Sequence, residues 1–167
     1  YHNQQVKIYI LHQNIPSDWF RELKIQVEKL GSVVEDIYIG DVIDAEWKTQ
    51  EHISPIAYAR YLIPRLITED RVVYLDSDII VNGDLSPLFD LDLGDYSLAA
   101  VRDVDGNGFN SGMLVIDCQK WREKDITSLL FDKTVEYMSY LDQTTTEGFN
   151  GDQTIFNLVF QNHWLEL

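Results

Sequence analysis

Two aspartates, Asp76 and Asp78, lie one residue apart within the otherwise apolar stretch VVYLDSDIIV, residues 72–81. Burying a carboxylate costs free energy unless the carboxylate is paired or binds a cation. Two neighbouring carboxylates repel each other, and a divalent cation relieves that repulsion. Oxygen-only ligation favours Mg²⁺, Mn²⁺ or Ca²⁺ over zinc. The pair therefore predicts a metal site; the alternative is a turn with two solvated aspartates.

Residues 72–81 are predicted to form a β-strand, because apolar and β-branched residues dominate the stretch. Residues i and i+2 of a strand share one face, so both carboxylates can point to one place. In open α/β sheets, ligands bind beyond the carboxyl ends of the strands. We therefore expect Asp76 and Asp78 at the ligand-binding edge of a sheet.

Strand and helix patterns alternate around this stretch and predict an α/β domain with a mostly parallel sheet flanked by helices. The other predicted strands are 6–11, 33–39, 96–101, 113–116 and a short one within 164–167. The predicted helices are 18–30, 53–67, a short one within 85–93, 120–140 and 152–161. Pro64 should kink or end the second of them. Residues 142–150 are predicted to be a polar loop.

The composition is that of one acidic globular domain over residues 1–167. The formal net charge is −15, from 28 acidic and 13 basic residues, and 45% of the residues are hydrophobic. This charge disfavours binding to nucleic acid or to an anionic membrane, because both need a basic face. Ten acidic and two basic residues lie between Glu69 and Asp105. An anionic ligand would therefore need a metal cation there.

The single cysteine, Cys118, excludes an intrachain disulfide and favours a reducing compartment. No apolar run is long enough to predict a transmembrane helix. The aromatic side chains at helical spacing are predicted to belong to the core and not to stack on a sugar: Tyr58, Tyr61, Trp121 and Phe156.

The stretch VVYLDSDIIVNGDLSPLF, 72–89, resembles the core of the glycosyltransferase family 8 enzymes. Three more stretches resemble that family in order: SPIAYARYLIPRLI at 54–67, FNSGMLVIDCQKWRE at 109–123 and GDQTIFN at 151–157. Four motifs in order are far more specific than one. The resemblance implies a GT-A type nucleotide-diphospho-sugar transferase fold, Rossmann-like and incomplete at both ends.

Residue roles follow from the resemblance. Asp76 and Asp78 would hold Mn²⁺ or Mg²⁺, and this metal would bind the diphosphate of a UDP-hexose donor. Asp152 and Gln153 would grip sugar hydroxyls near the anomeric carbon and form the catalytic pair. The implied substrate-binding residues are Arg60, Asp76, Ser77, Asp103, Asn110, Ser111, Asp152 and Gln153.

Two of these positions, Arg60 and Asp152, and the neighbouring Gly112 also have ordinary structural readings. Arg60 could be a surface arginine on a helix. Asp152 could be the N-cap of a helix, a position that aspartate favours. Gly112, which the resemblance places where the backbone approaches the donor, could be a simple glycine at the start of a strand.

The resemblance further implies a retaining reaction that moves a hexose, glucose or galactose, from a UDP-sugar to an acceptor hydroxyl. The sequence offers no unambiguous nucleophile, which favours a same-face displacement. The acceptor is predicted to be a glycan or glycoprotein, modified in the cytoplasm or at the inner face of the membrane. The sequence leaves the hexose, the acceptor and the oligomeric state open.

Two features depart from the family pattern. The family's histidine metal ligand lies in a segment that is absent here, and His163 lacks the glycine and lysine partners of that segment. We interpret His163 as a surface or interface histidine. The interval between Asp103 and Asn110 is also short for the family. On their own, residues 1–167 are expected to bind metal and nucleotide poorly.

Other readings of the same residues are possible. DVDGNG, 103–108, matches half of an EF-hand calcium loop, but Leu114 stands where a glutamate is needed. We interpret it as a turn between strands. YLDSDIIV also resembles the first motif of aspartate-nucleophile phosphatases. A third class is a degenerate transferase fold that binds sugar or a partner without catalysis; the retained polar residues speak against it.

Overall fold

The computed structural model describes residues 5–43, 46–47, 49, 54–141 and 148–167. Its strands are β1 Lys7–His12, β2 Val33–Tyr38, β3 Arg71–Leu75, β4 Leu98–Arg102, β5 Phe109–Asp117 and β6 Leu165–Glu166. Its α-helices are α1 Ser17–Glu28, α2 Ile63–Leu66, α3 Ser86–Phe89, α4 Cys118–Glu123, α5 Ile126–Leu141 and α6 Asp152–Val159. A 3₁₀ helix, Pro55–Leu62, leads into α2. The predicted α/β class is confirmed.

The described strands form two sheets. β1 and β2 pair in parallel, and the other four lie in the order β3-β5-β4-β6. β4 pairs with β6 in parallel, whereas β5 is antiparallel to both β3 and β4. A six-residue turn joins β4 to β5, and such a short connection permits only antiparallel pairing. The described part of the chain therefore combines parallel and antiparallel pairing.

The strand predicted over 72–81 ends at Leu75, so its second half was predicted wrongly. Leu75 pairs with Met113 of β5, and beyond it the Asp76 N–H donates to the Gly112 carbonyl at 2.8 Å. The Ile79 N–H then donates to the Asp76 carbonyl at 3.1 Å and closes a turn. Ile80 is 90% exposed. Both aspartates thus belong to a turn, because strand pairing with β5 stops before them.

Two helix predictions also differ from the structure. The helix predicted over 120–140 is divided into α4 and α5, and Asp125, with φ +45°, stands at the break. The segment 54–67 is mainly 3₁₀ helix, and Pro64 lies in the first turn of the short α2. Residue 53 and most of the predicted loop, 142–147, lie outside the described residues.

The core that carries the site is aromatic. The four aromatic side chains predicted to be core are fully buried, which confirms that prediction: Tyr58, Tyr61, Trp121 and Phe156. Phe156 of α6 packs against Phe109 at the start of β5, with ring centroids 6.4 Å apart. Helix α6 is thereby fixed against the strand whose first residues contribute to the site.

A buried hydroxyl connects α4, α5 and the 3₁₀ helix. Thr127 accepts a hydrogen bond from the Trp121 indole at 3.1 Å and donates to the Tyr61 carbonyl at 2.8 Å. Thr127 is 1% exposed, so water cannot replace these bonds. The hydroxyl therefore stabilises the packing of the segment that carries Arg60.

Replacing Thr127 by valine keeps the shape of the side chain and removes the hydroxyl. We expect the free energy of unfolding to fall by about 1–3 kcal/mol, because the buried indole N–H loses its partner. Urea unfolding of the complete encoded protein measures this change. Thr127→Ser, which retains the hydroxyl, is the matched control and should keep most of the stability. An unchanged midpoint for Thr127→Val would contradict the assigned role.

Candidate active site

The polar cluster forms where β3 ends beside an irregularity in β5. Ala100 of β4 pairs with Leu114, but the next residue, Val101, pairs with Asn110. The three intervening residues, 111–113, therefore have no partner in β4 and form a bulge in the pairing of β5 with β4. Such bulges redirect side chains and backbone groups. Here the bulge directs the Gly112 carbonyl to the Asp76 N–H and leaves the Ser111 carbonyl available to Arg60.

Arg60 is the centre of the cluster and is only 6% exposed, so its reading as a surface arginine is wrong. Its Nε donates to the Ala57 carbonyl at 3.0 Å, and its Nη1 donates to the Ser111 carbonyl at 2.6 Å. Its Nη2 lies 3.2 Å from Asp76 Oδ1, and its Nε lies 3.0 Å from Asp152 Oδ2. One buried guanidinium thus contacts both carboxylates.

Burial opposes the positive charge of Arg60, but the carboxylates outweigh it. Asp152 and Asp76 both favour the charged form, and the pKa of the guanidinium is raised. Arg60 therefore remains a cation, and both carboxylates are attracted to it.

Asp152 lies at the first position of α6 and is 4% exposed. The N-cap is Gly151, with φ +57°, so Asp152 is not the capping residue. Its Oδ2 is buried in ionic contact with Arg60 without an aligned hydrogen bond, because the Arg60 Nε proton is directed at Ala57. Burial, with a smaller contribution from Asp76, raises the pKa of Asp152 to about 6, although Arg60 opposes this.

Gln153 joins three elements of the site. Its Oε1 accepts from the Ser111 N–H at 3.1 Å, and its Nε2 donates to Asp103 Oδ2 at 2.7 Å. The bulge of β5, the start of α6 and the turn after β4 are thereby held together. The structure thus brings Arg60, Asp76, Asp103, Ser111, Asp152 and Gln153 into one connected network.

Asn110 and Gly112 form the edge of the network next to Asp76. Asn110 Oδ1 accepts from the Gly112 N–H at 2.8 Å. A Cβ at Gly112 would lie 2.8 Å from Asp76 Oδ2 and 2.9 Å from Asn110 Oδ1. Glycine is needed because these polar groups approach the backbone too closely for a side chain. Gly112 is thus more than a simple glycine at the start of a strand.

Asp76 and Asp78 have the chemistry of a divalent-cation site. Both supply carboxylate oxygens from a single turn, and Ser77 and Asp78 are exposed. Within the described ranges, no group of three or more His, Cys, Asp or Glu side chains could hold a metal. The carboxylate oxygens of Asp76 and Asp78 are ligands of the type that Mn²⁺ and Mg²⁺ prefer. Further ligands would have to come from the substrate, from water or from other residues.

As predicted, residues 103–108 form a turn between two strands, β4 and β5. The Asp103 N–H donates to the Gly108 carbonyl at 3.0 Å, and strands flank the turn on both sides. Asp105 Oδ1 accepts from the Asn107 N–H at 2.9 Å. His163 is exposed and packs on Tyr96, with ring centroids 5.2 Å apart. This agrees with its interpretation as a surface histidine.

Sequence reasoning missed two contributors, Asn157 and Tyr74. Asn157 Oδ1 accepts from the Phe109 N–H, and its Nδ2 donates to the Phe109 and Gln153 carbonyls, each within 2.9 Å. Its position four residues after Gln153, on the same face of α6, was the available signal. Tyr74 donates to Asp76 Oδ1 at 2.6 Å. The i, i+2 spacing to Asp76 could have indicated it.

Comparisons with known proteins identify relatives of the whole chain. The model of glycosyl transferase family 8 matches residues 1–167. The chain is 48% identical to glycosyltransferase GlyD of Streptococcus pneumoniae over all of its length, and 29% identical to general stress protein A of Bacillus subtilis over 98% of it. It spans 21% of GlyD and 61% of general stress protein A.

Solved structures agree in fold. The crystal structure of GlyE from Streptococcus pneumoniae matches 99% of the chain with a TM-score of 0.76 and 38% identity, over 39% of its own length. A galactosyltransferase, LgtC, in complex with donor and acceptor sugar analogues matches 98% of the chain with a TM-score of 0.81 and 28% identity, over 63% of its own length. These likenesses confirm the predicted GT-A fold. No helix in the described part of the chain is long and apolar enough to cross a membrane.

The raised pKa of Asp152 predicts a pH-dependent stability. The folded state holds this proton more tightly than the unfolded state, whose pKa is near 3.8. The stabilisation is fully present below pH 3.8 and is lost as the pH rises through about 6. Relative to Asp152→Asn, the free energy of unfolding of the wild type should therefore fall by about 2 kcal/mol between pH 4 and 7.

Urea unfolding of both proteins between pH 4 and 7 measures this difference. Asp36→Asn is a control, because Asp36 is exposed and a hydrogen bond from Lys24 lowers its pKa. The difference in free energy of unfolding between Asp36→Asn and the wild type should change mainly below pH 4 and stay constant from pH 5 to 7. The raised pKa of Asp152 would be contradicted if the free energy of unfolding of the wild type, relative to that of Asp152→Asn, stayed constant or rose with pH.

Proposed function

The chain belongs to glycosyltransferase family 8, and we propose that it carries donor-binding and catalytic residues of a retaining hexosyltransferase. The donor is a UDP-hexose, UDP-glucose or UDP-galactose, and the acceptor is a hydroxyl of a glycan or glycoprotein. Residues 1–167 form part of a single catalytic domain. The chain spans less than two thirds of the relatives it matches, so the activity is that of the complete encoded protein.

One observation carries this proposal: Arg60 is buried between Asp76 and Asp152 at the end of β3. Taking these charges out of water costs free energy even when they are paired, and a buried ion pair is often no more stabilising than apolar side chains of the same size. The cluster is therefore better explained by a functional role than by stability alone. The same cluster holds Ser111 through the backbone and Gln153 and Asp103 through side chains. Such convergence of polar groups supports a ligand site, because an ordinary core would be apolar.

Asp76 and Asp78 would hold Mn²⁺ or Mg²⁺ in the working enzyme. When bound, the metal neutralises the negative charge that develops on the departing UDP. The acidic surroundings support this assignment, since ten acidic and two basic residues lie between Glu69 and Asp105. A free UDP-sugar would be repelled by that field. The proposal therefore includes strict metal dependence.

Gln153, Asp152 and Arg60 would position the hexose. Asp103 orients the side-chain amide of Gln153 by accepting its hydrogen bond. Ser111 would line the donor site, and its backbone N–H and carbonyl hold Gln153 and Arg60. Asn110 is exposed at the edge of the bulge and would hydrogen-bond the donor sugar. Ser77, exposed between the two aspartates, would lie beside the donor phosphates.

The burial of Asp152 supports a same-face displacement. A nucleophile must reach the anomeric carbon, whereas Asp152 Oδ2 is buried against the guanidinium of Arg60. Gln153 carries a neutral amide, which is a poor nucleophile. The acceptor hydroxyl would then attack on the face from which UDP leaves, and a donor phosphate oxygen would take its proton.

We further propose that the reaction takes place in the cytoplasm or at the inner face of the membrane.

Replacing Asp78 by asparagine removes one of the two metal-binding carboxylates. We expect turnover to fall at least about a hundredfold, because the charge on the leaving group loses its stabilisation. Asp78 is exposed, so the fold should remain intact. The measurement is UDP release by the complete encoded protein from UDP-glucose and UDP-galactose, separately, with Mn²⁺ or EDTA.

Asp90→Asn is the matched control, because Asp90 is an exposed acid in the same acidic stretch. It should turn over like the wild type. Turnover by Asp78→Asn at the wild-type level would refute the metal role. Absence of both UDP release and UDP binding in the wild type would instead support a binding module that lacks catalysis.

A further inference from the structure

Two donors converge on the same oxygen of Asp76. The Tyr74 hydroxyl donates to Asp76 Oδ1 at 2.6 Å, and Arg60 Nη2 lies 3.2 Å from that oxygen. The guanidinium of Arg60 also lies over the Tyr74 ring, 4.6 Å from its centroid. Tyr74 therefore contacts both members of the ion pair, one through its hydroxyl and the other through its ring.

The second oxygen of Asp76 has a different environment. Oδ2 lies against Gly112, where even a methyl group would approach it to 2.8 Å. Tyr74 and Arg60 thus contact Oδ1, whereas Oδ2 lies beside the backbone of Gly112, which has no side chain. Rotation of the carboxylate would break both contacts on Oδ1.

We infer that Tyr74 is a positioning residue that fixes Asp76 so that Oδ2, and not Oδ1, binds the divalent cation of the donor complex. This inference rests on the proposed function and extends it to a residue that does not touch the donor. Outer hydrogen bonds to a metal-binding carboxylate typically change metal affinity by about 10–100-fold. The hydroxyl of Tyr74 is the group that acts in this way.

The ring and the hydroxyl of Tyr74 have separable roles. Phenylalanine would keep the ring beneath Arg60 and the packing of β3, and it would remove only the donor to Asp76. Tyr9 provides a matched comparison, because its hydroxyl donates to the Glu69 carboxylate at 2.5 Å at the opposite end of β3.

The test compares the complete encoded wild type with Tyr74→Phe and Tyr9→Phe. Binding of Mn²⁺ in the presence of UDP is followed by the electron paramagnetic resonance signal of free Mn²⁺, and steady-state kinetics give kcat and the KM for Mn²⁺. Tyr74→Phe should weaken Mn²⁺ binding about tenfold and raise the KM for Mn²⁺ more than it lowers kcat. Tyr9→Phe should bind Mn²⁺ like the wild type.

A third variant carries 4-aminophenylalanine at position 74, which restores a donor on the same ring. It should bind Mn²⁺ within about threefold of the wild type. Wild-type affinity in Tyr74→Phe, no recovery with 4-aminophenylalanine, or loss of cooperative unfolding in Tyr74→Phe would each overturn the inference. If the wild type itself bound no Mn²⁺ with UDP, the proposed function would fail first, and the two failures are thereby distinguished.

Discussion

The burial of one positive charge governs the arrangement of this site. Arg60 is 6% exposed, so its charge and its donors must be compensated within the protein. The carboxylates of Asp76 and Asp152 lie in ionic contact with it, and the carbonyls of Ala57 and Ser111 accept its hydrogen bonds. Removing one partner of a buried ion pair typically costs about 3–5 kcal/mol. The 3₁₀ helix, the bulge of β5 and the start of α6 are thereby bound to one another.

This arrangement divides the acidic turn into two parts with different surroundings. Arg60 and Tyr74 restrain Asp76, which begins the acidic turn, while Asp78 and Ser77 remain exposed. One end of the motif is rigid and the other is open to a ligand. Under the proposed function, this division would favour binding of a metal and a charged donor, because a preorganised carboxylate needs no rearrangement to bind a cation.

Local patterns predicted much of the fold but not its interruptions. The runs that became β1 and β2 were recognisable because β-branched residues dominate them. The end of β3 at Leu75 was not, since Ile79 and Ile80 continue the apolar pattern where pairing with β5 has already stopped. The bulge of β5 and the break at Asp125 likewise depend on tertiary contacts. For the site, resemblance named Arg60, Asp76, Asp152 and Gln153, but the burial of Arg60 depends on Ser111, 51 residues away.

The most direct test of this account is the turnover of Arg60→Lys in the complete encoded protein, measured as metal-dependent UDP release beside its thermal unfolding. Lysine keeps the charge but cannot present the planar set of donors that reaches two carboxylates and two carbonyls. We expect a folded protein whose turnover is at least about a hundredfold lower. Turnover within about threefold of the wild type would contradict the claim that the buried guanidinium organises the site.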